Sequence, residues 1–119
     1  MTRKHPSRLQ CGEGFLLTET SMTWYEDQYV PDRGQRADPR VSPLLTPDLS
    51  GLPPAHIATA LADPLRDEGE AYAARLREAG IRVALQRHPQ IHGFFNITAM
   101  RSGLRGLTLI AGALRQGMA

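Results

Sequence analysis

The run Ala55–Ala62 (AHIATALA) constrains the fold of this chain more than any other segment. It is apolar almost without a break and is bracketed by Pro53-Pro54 and Asp63-Pro64. A strand that is apolar on both faces needs cover on both, which is the situation of a strand inside a parallel sheet. The segment after it reads as a helix. Asp63 suits an N-cap and Pro64 a first helical position. Leu65, Tyr72, Leu76 and Ala79 share one helical face. Asp67, Glu68 and Glu70 come early and Arg75 and Arg77 late, as the helix dipole favours, and Gly80 supplies the stop.

Residues 81–86 (IRVALQ) alternate as a half-buried or edge strand would. A loop through Pro89 and Gly93 is expected next, then a helix over 98–116 with Leu104, Leu107, Ile110, Ala111 and Leu114 as its apolar stripe. Strand, helix, strand, helix over 55–119 is a βαβ unit with a closing helix, so the strands should be parallel and the crossover right-handed. Two parallel strands make a poor sheet alone. The expected fold class is therefore α/β, with residues 1–119 forming the C-terminal βαβα part of a larger parallel sheet whose upstream strands are missing.

The first half is less regular. Residues 1–17 read as irregular. Thr18 is a fitting N-cap for a helix within 18–30, where Met22, Tyr25 and Tyr29 recur at helical spacing beside Trp24, and Pro31 ends it. Residues 31–54 hold six of the nine prolines and read as a long loop. A loop of that length is expected to be functional or wrapped on a larger body. Its Arg33, Arg36 and Arg40 read as solvated, and the aromatic cluster of the preceding helix, Trp24, Tyr25 and Tyr29, reads as helix packing ahead of a substrate cage.

Composition narrows the function. Hydrophobic residues make up 41% and charged residues 22%, which is a globular balance and not a disordered one. The formal net charge of +2 comes from arginines that read as scattered, without the stripe a nucleic-acid surface needs. The single cysteine, Cys11, allows no intrachain disulfide and reads as an inert thiol. No apolar run approaches membrane-spanning length, and no apolar segment follows the basic N-terminus, so a cytoplasmic protein without a membrane partner is expected.

Two short motifs carry chemistry: the DPLRDEG run at 63–69 and the IHGFF run at 91–95. Both fall at the carboxyl ends of strands, where open parallel sheets gather their functional groups. One βαβ step makes those strands neighbours. Asp63 could then accept a hydrogen bond from a ring nitrogen of His92, fixing its tautomer for general-base work. Each residue alone has a plainer reading, Asp63 as an N-cap and His92 as a solvated loop histidine. His88 and His92 are four apart, but Pro89 opposes a helix between them and no third ligand is evident. Neither a metal nor a cofactor is expected, and His56 reads as structural.

Together with Thr23-Trp24-Tyr25-Glu26-Asp27-Gln28-Tyr29 and Ala37-Asp38-Pro39-Arg40-Val41-Ser42-Pro43-Leu44, these motifs stand in an order that resembles the C-terminal region of bacterial esterases and lipases of the hormone-sensitive-lipase-like family. The resemblance implies an α/β-hydrolase fold and a carboxylic ester hydrolase. It implies Asp63 as the triad acid, His92 as the triad base, a small carboxylic ester as substrate, and a homodimer formed through the last strand. Asp67, one helical turn beyond Asp63, reads as a first-turn helix carboxylate. Ser7, Ser21, Ser42, Ser50 and Ser102 all lack the G-x-S-x-G setting of the family's nucleophile, and the HGGG-type oxyanion segment is absent as well. By this reading the chain alone is inactive. The alternative is a non-catalytic truncated remnant, or a piece that interacts through its edge strand.

Overall fold

A computed structural model of the chain describes residues 5–117. The apolar run is strand β1, Ala55–Ala62, and the second strand, β2, is Val83–Ile91. They lie side by side and parallel. Helix α1 is Pro6–Cys11, α2 is Glu19–Tyr29, α3 is Arg66–Glu78 and α4 is Arg101–Gly117. Short 3₁₀ turns occupy Arg33–Ala37, Pro43–Leu45 and Phe94–Asn96. No helix among the described residues is long and apolar enough to cross a membrane.

The strand register explains a difference from the sequence reading. Ala55 faces Val83 and the pairing runs evenly to Ala60 opposite His88; the next partners are Ala62 and Ile91. Strand β1 takes two steps there while β2 takes three. The extra residue falls at Pro89 and Gln90. Proline has no N–H for a ladder, and a bulge is where a strand tolerates one. So β2 does not stop at residue 86 before a loop. It continues past Pro89 to Ile91 and delivers His92 at its end.

Alternation along the pair separates two faces. Thr59 and Arg87 both bond Glu70 of α3, so the odd-numbered side is the α3 side. Ala73 and Leu76 of α3 are buried. His88 lies on the other side, its ring 4.7 Å from that of Phe94. Helix α4 reaches this face through Gly103 and Gly106, both buried. A Cβ on Gly106 would overlap the Phe94 ring, and one on Gly103 would meet the carbonyls of Ile97 and Phe94. The expected stripe is therefore not the packed face: Leu104, Leu107 and Leu114 are exposed. Close approach to Phe94 selects the glycines instead.

Two other expectations change. Residues 1–17 are not wholly irregular, since Pro6 opens α1 from its first position. The long loop 31–54 is wrapped on α3: the Arg75 guanidinium donates to the carbonyls of Leu44 and Thr46. Within it, Arg33 and Arg40 are exposed as expected. Arg36 is not. It donates to the Val30 carbonyl at 3.0 Å and pairs with Asp27 and Glu26.

Candidate active site

Asp63 follows the last residue of β1, and His92 follows the last residue of β2. Their side chains meet: His92 Nδ1 lies 2.9 Å from Asp63 Oδ2. The other carboxylate oxygen, Oδ1, accepts the Leu65 N–H at 2.8 Å, and the Asp63 carbonyl accepts the Arg66 N–H. The plain and the chemical readings of Asp63 are thus carried by different oxygens. The expected cap is displaced, because α3 begins at Arg66 and Pro64 lies in the preceding turn. Asp63 closes that turn and leaves Oδ2 aimed across the sheet edge.

Burial and exposure divide between the partners. The Asp63 side chain is 11% exposed and that of His92 is 39% exposed. The hydrogen bond to Asp63 raises the His92 pKa above its ordinary value, against the opposing effect of burial, and the carboxylate charge adds to the rise. Gly93, at φ +66°, makes the turn behind the ring; a side chain there would be strained. Phe94 is buried beneath it against His88 and Gly106.

Asp67 does something else. Its Oδ2 accepts the Ser7 N–H at 2.8 Å and its Oδ1 accepts from Arg66. Ser7 Oγ donates to the Pro64 carbonyl and accepts the Asp67 N–H, which fastens α1 to the turn that carries Asp63. Burial pushes the Asp67 pKa up, but the bonds from Arg66 and Ser7 outweigh it and leave it below the usual value. Next to Ser7, the buried Arg8 pairs with Glu19 at 2.6 Å and Glu26 at 3.0 Å. This joins α1 to α2. Neither link is legible in the sequence. The proline-first signal of α1 is there, but six residues are too few to show a period.

A groove of about 350 Å³ opens beside His92, lined by Leu17, Met22, Tyr25, Glu26, Tyr29 and Leu65. The aromatic cluster is not buried helix packing: Trp24, Tyr25 and Tyr29 are all exposed, while Met22 and Glu26 of the same helix are buried. Nothing in the sequence singles out Leu17, Met22 and Leu65 as a group, because their shared surface exists only once α2 stands over the strand ends. His88 and His92 do not converge, since one faces Phe94 and the other Asp63. Among the described residues, no three His, Cys, Asp or Glu side chains gather as a metal site would need. Cys11 is buried.

Known proteins share this arrangement of sequence and fold. A family model described as α/β-hydrolase fold matches residues 1–96. The carboxylic ester hydrolase LipN of Mycobacterium tuberculosis is 49% identical over 107 residues, covering 87% of this chain and 28% of that protein. An ethyl acetate hydrolase of Pseudomonas putida is 36% identical over 115 residues, covering 95% of this chain and 36% of that protein. Among solved structures, a thermophilic carboxylesterase cloned from a metagenomic library superposes with a TM-score of 0.91 at 37% identity, over 97% of this chain and 40% of its own. The chain spans roughly a third of the length of the curated relatives it matches.

Proposed function

This chain belongs to the α/β-hydrolase fold family, and from that premise we propose that it supplies the acid and the base of a serine-hydrolase triad, Asp63 and His92, to a carboxylic ester hydrolase. The observation that carries the reading is the 2.9 Å contact between Asp63 Oδ2 and His92 Nδ1, made across 29 residues from adjacent strand ends. The nucleophilic serine and the oxyanion donors come from outside these residues. Asp63 holds the Nδ1 proton, which leaves Nε2 free to accept the serine hydroxyl proton as the oxygen attacks the ester carbonyl. The imidazolium so formed is stabilised by the Asp63 carboxylate and returns its proton to the leaving alkoxide. Water, deprotonated by the same nitrogen, then attacks the acyl-serine; the bond to the serine oxygen breaks, the acid leaves, and the imidazolium returns the proton to that oxygen. The groove of about 350 Å³ beside His92 suits a small or medium ester. No step requires a metal or cofactor.

The test is a pair of measurements. The 119-residue chain should not turn over a short-chain chromogenic ester, and an organophosphate should label none of its serines stoichiometrically. Fused behind the preceding part of a close relative, it should gain turnover that His92→Ala removes. Serine-dependent turnover by the unfused chain, or a fused enzyme indifferent to His92→Ala, would sink the proposal. A second reading concerns assembly. Among the described residues, strand β2 has β1 on one side only, and an unpaired edge is a template for a second copy. On that reading the chain pairs through β2 as a homodimer, or acts as a non-catalytic interaction piece. A strictly monomeric sedimentation profile at high concentration would remove it.

A further inference from the structure

The acidic residues of this chain stop at Glu78. Residues 79–119 contain five arginines and no aspartate or glutamate, so the arginines stay evenly scattered while this part of the chain has no acid of its own to offset them. One of the five, Arg87, is matched by Glu70 on the α3 face. Arg101 and Arg105 are not matched: both are exposed on α4, and among the described residues neither side chain takes part in a salt bridge or hydrogen bond. They stand four residues apart, hence one above the other on the helix. Like charges at that spacing repel, by roughly 0.2–0.5 kcal/mol in an isolated helix, unless something negative lies between them.

The space beside them is shaped for that. A groove of about 480 Å³ runs between the end of β2 and the first turns of α4, lined by His88, Gln90, Arg101, Ser102 and Arg105 among others. Pro89 and Gln90, where the bulge falls, both line it. His88, 7% exposed, forms its inner wall, and its Nε2 is buried with no hydrogen-bond partner. Ser102 and Gln90 add a hydroxyl and an amide. The groove therefore combines two uncompensated guanidinium forks with neutral polar groups, and among the described residues no carboxylate lines it.

We infer that this groove binds a small oxyanion, a phosphate or carboxylate group, with Arg101 and Arg105 supplying the charge and Ser102 and Gln90 the hydrogen bonds. A guanidinium fork matches either oxyanion geometrically. The site lies apart from the groove beside His92, and it is independent of the triad proposal. It touches the same loop, however, because Phe94 rests on His88.

The test titrates inorganic phosphate, and separately acetate, into the full chain at constant ionic strength held with chloride, followed by amide and imidazole NMR shifts. Saturable binding with a dissociation constant on the order of 1 mM is expected, with shifts at Ser102, Gln90 and the His88 ring. Arg101→Gln and Arg105→Gln should each weaken it about tenfold, as losing one charged fork would. Arg115→Gln, on the same helix outside the groove, should leave it unchanged. The stronger of the two probes identifies which oxyanion the groove prefers. Shifts that never saturate, or an equal loss in Arg115→Gln, would mean general screening and overturn the site. Loss of phosphate binding as the chain dimerises, followed by sedimentation, would assign the groove to a second copy and overturn it too.

Discussion

Two carboxylates stand four residues apart in the chain, and only one of them reaches His92. That contrast tests the geometry of the candidate triad directly. In Asp63→Asn the side-chain carbonyl can still accept the Leu65 N–H, so the turn should hold. The amide NH₂ then faces His92 Nδ1. A donor there forces the ring to accept at Nδ1 and to carry its proton on Nε2, where it blocks the proton transfer from serine. By analogy with a serine-protease triad the loss is on the order of 10⁴ in kcat, or about 5.4 kcal/mol of barrier. Asp67→Asn removes a charged acceptor from the Ser7 N–H and from Arg66, neither of which bonds the imidazole. Its cost falls on the docking of α1: a charge-assisted hydrogen bond is worth roughly 1.5–3 kcal/mol, less where solvent reaches it. Turnover should fall less than about tenfold once the denaturant midpoint confirms folding. The assay is steady-state hydrolysis of a short-chain ester by the fused enzyme. Equal damage from the two variants, with the fold intact, would refute the assignment of Asp63.

Three further outcomes are expected. In histidine NMR titrations of the chain, His92 should ionise above its ordinary value and drop on Asp63→Asn, which removes the hydrogen bond that raises it. His88 should ionise below its ordinary value, because burial and then repulsion from His56 disfavour its charge. These shifts have opposite signs in stability. The His92 contribution is present below its unfolded pKa of about 6.5 and is lost as pH rises through its folded value; the His88 contribution is present above about 6.5 and is lost as pH falls. Destabilisation between about pH 7 and 5, read from denaturant midpoints, should therefore be larger in Asp63→Asn than in the parent. Gly112→Ala should gain up to about 1 kcal/mol of helix propensity, since a Cβ there meets nothing within 4 Å. Gly106→Ala should forfeit that gain, and about 1–3 kcal/mol to overpacking, because its Cβ overlaps Phe94. Equal midpoints for the two alanine variants would contradict the packing of α4.

What the sequence discloses is mostly what neighbouring residues decide. Strand β1 begins and ends where the apolar run does, since prolines bound it on both sides. Helix α2 starts behind Thr18, whose hydroxyl accepts the Ser21 N–H while the Ser21 hydroxyl accepts the Thr18 N–H. Such caps are legible because both partners sit within four residues. Links at long separation are different. Nothing local marks Ser7 as the partner of Asp67, 60 residues on, or Arg8 as the partner of Glu26. Helix α4 shows the limit in another form. A 3.6-residue period identifies an amphipathic helix, but not which face meets the sheet, because glycine adds nothing to the period while permitting the closest approach.

The pairing of Asp63 with His92 is the exception that clarifies the rule. It spans 29 residues, yet it is legible, because topology does the work that proximity does elsewhere. Once 55–62 is a strand inside a parallel sheet and one helix succeeds it, the next strand lies beside it, and both carboxyl ends share an edge. The residue that ends each strand is then a near neighbour of the other. The bulge at Pro89 sets the remaining step. Without the extra residue on β2, the side chain after Ile91 would sit one pleat out of phase, on the opposite side of the strand from where it now meets Asp63. A proline that reads as the start of a loop is thus part of what aims the histidine.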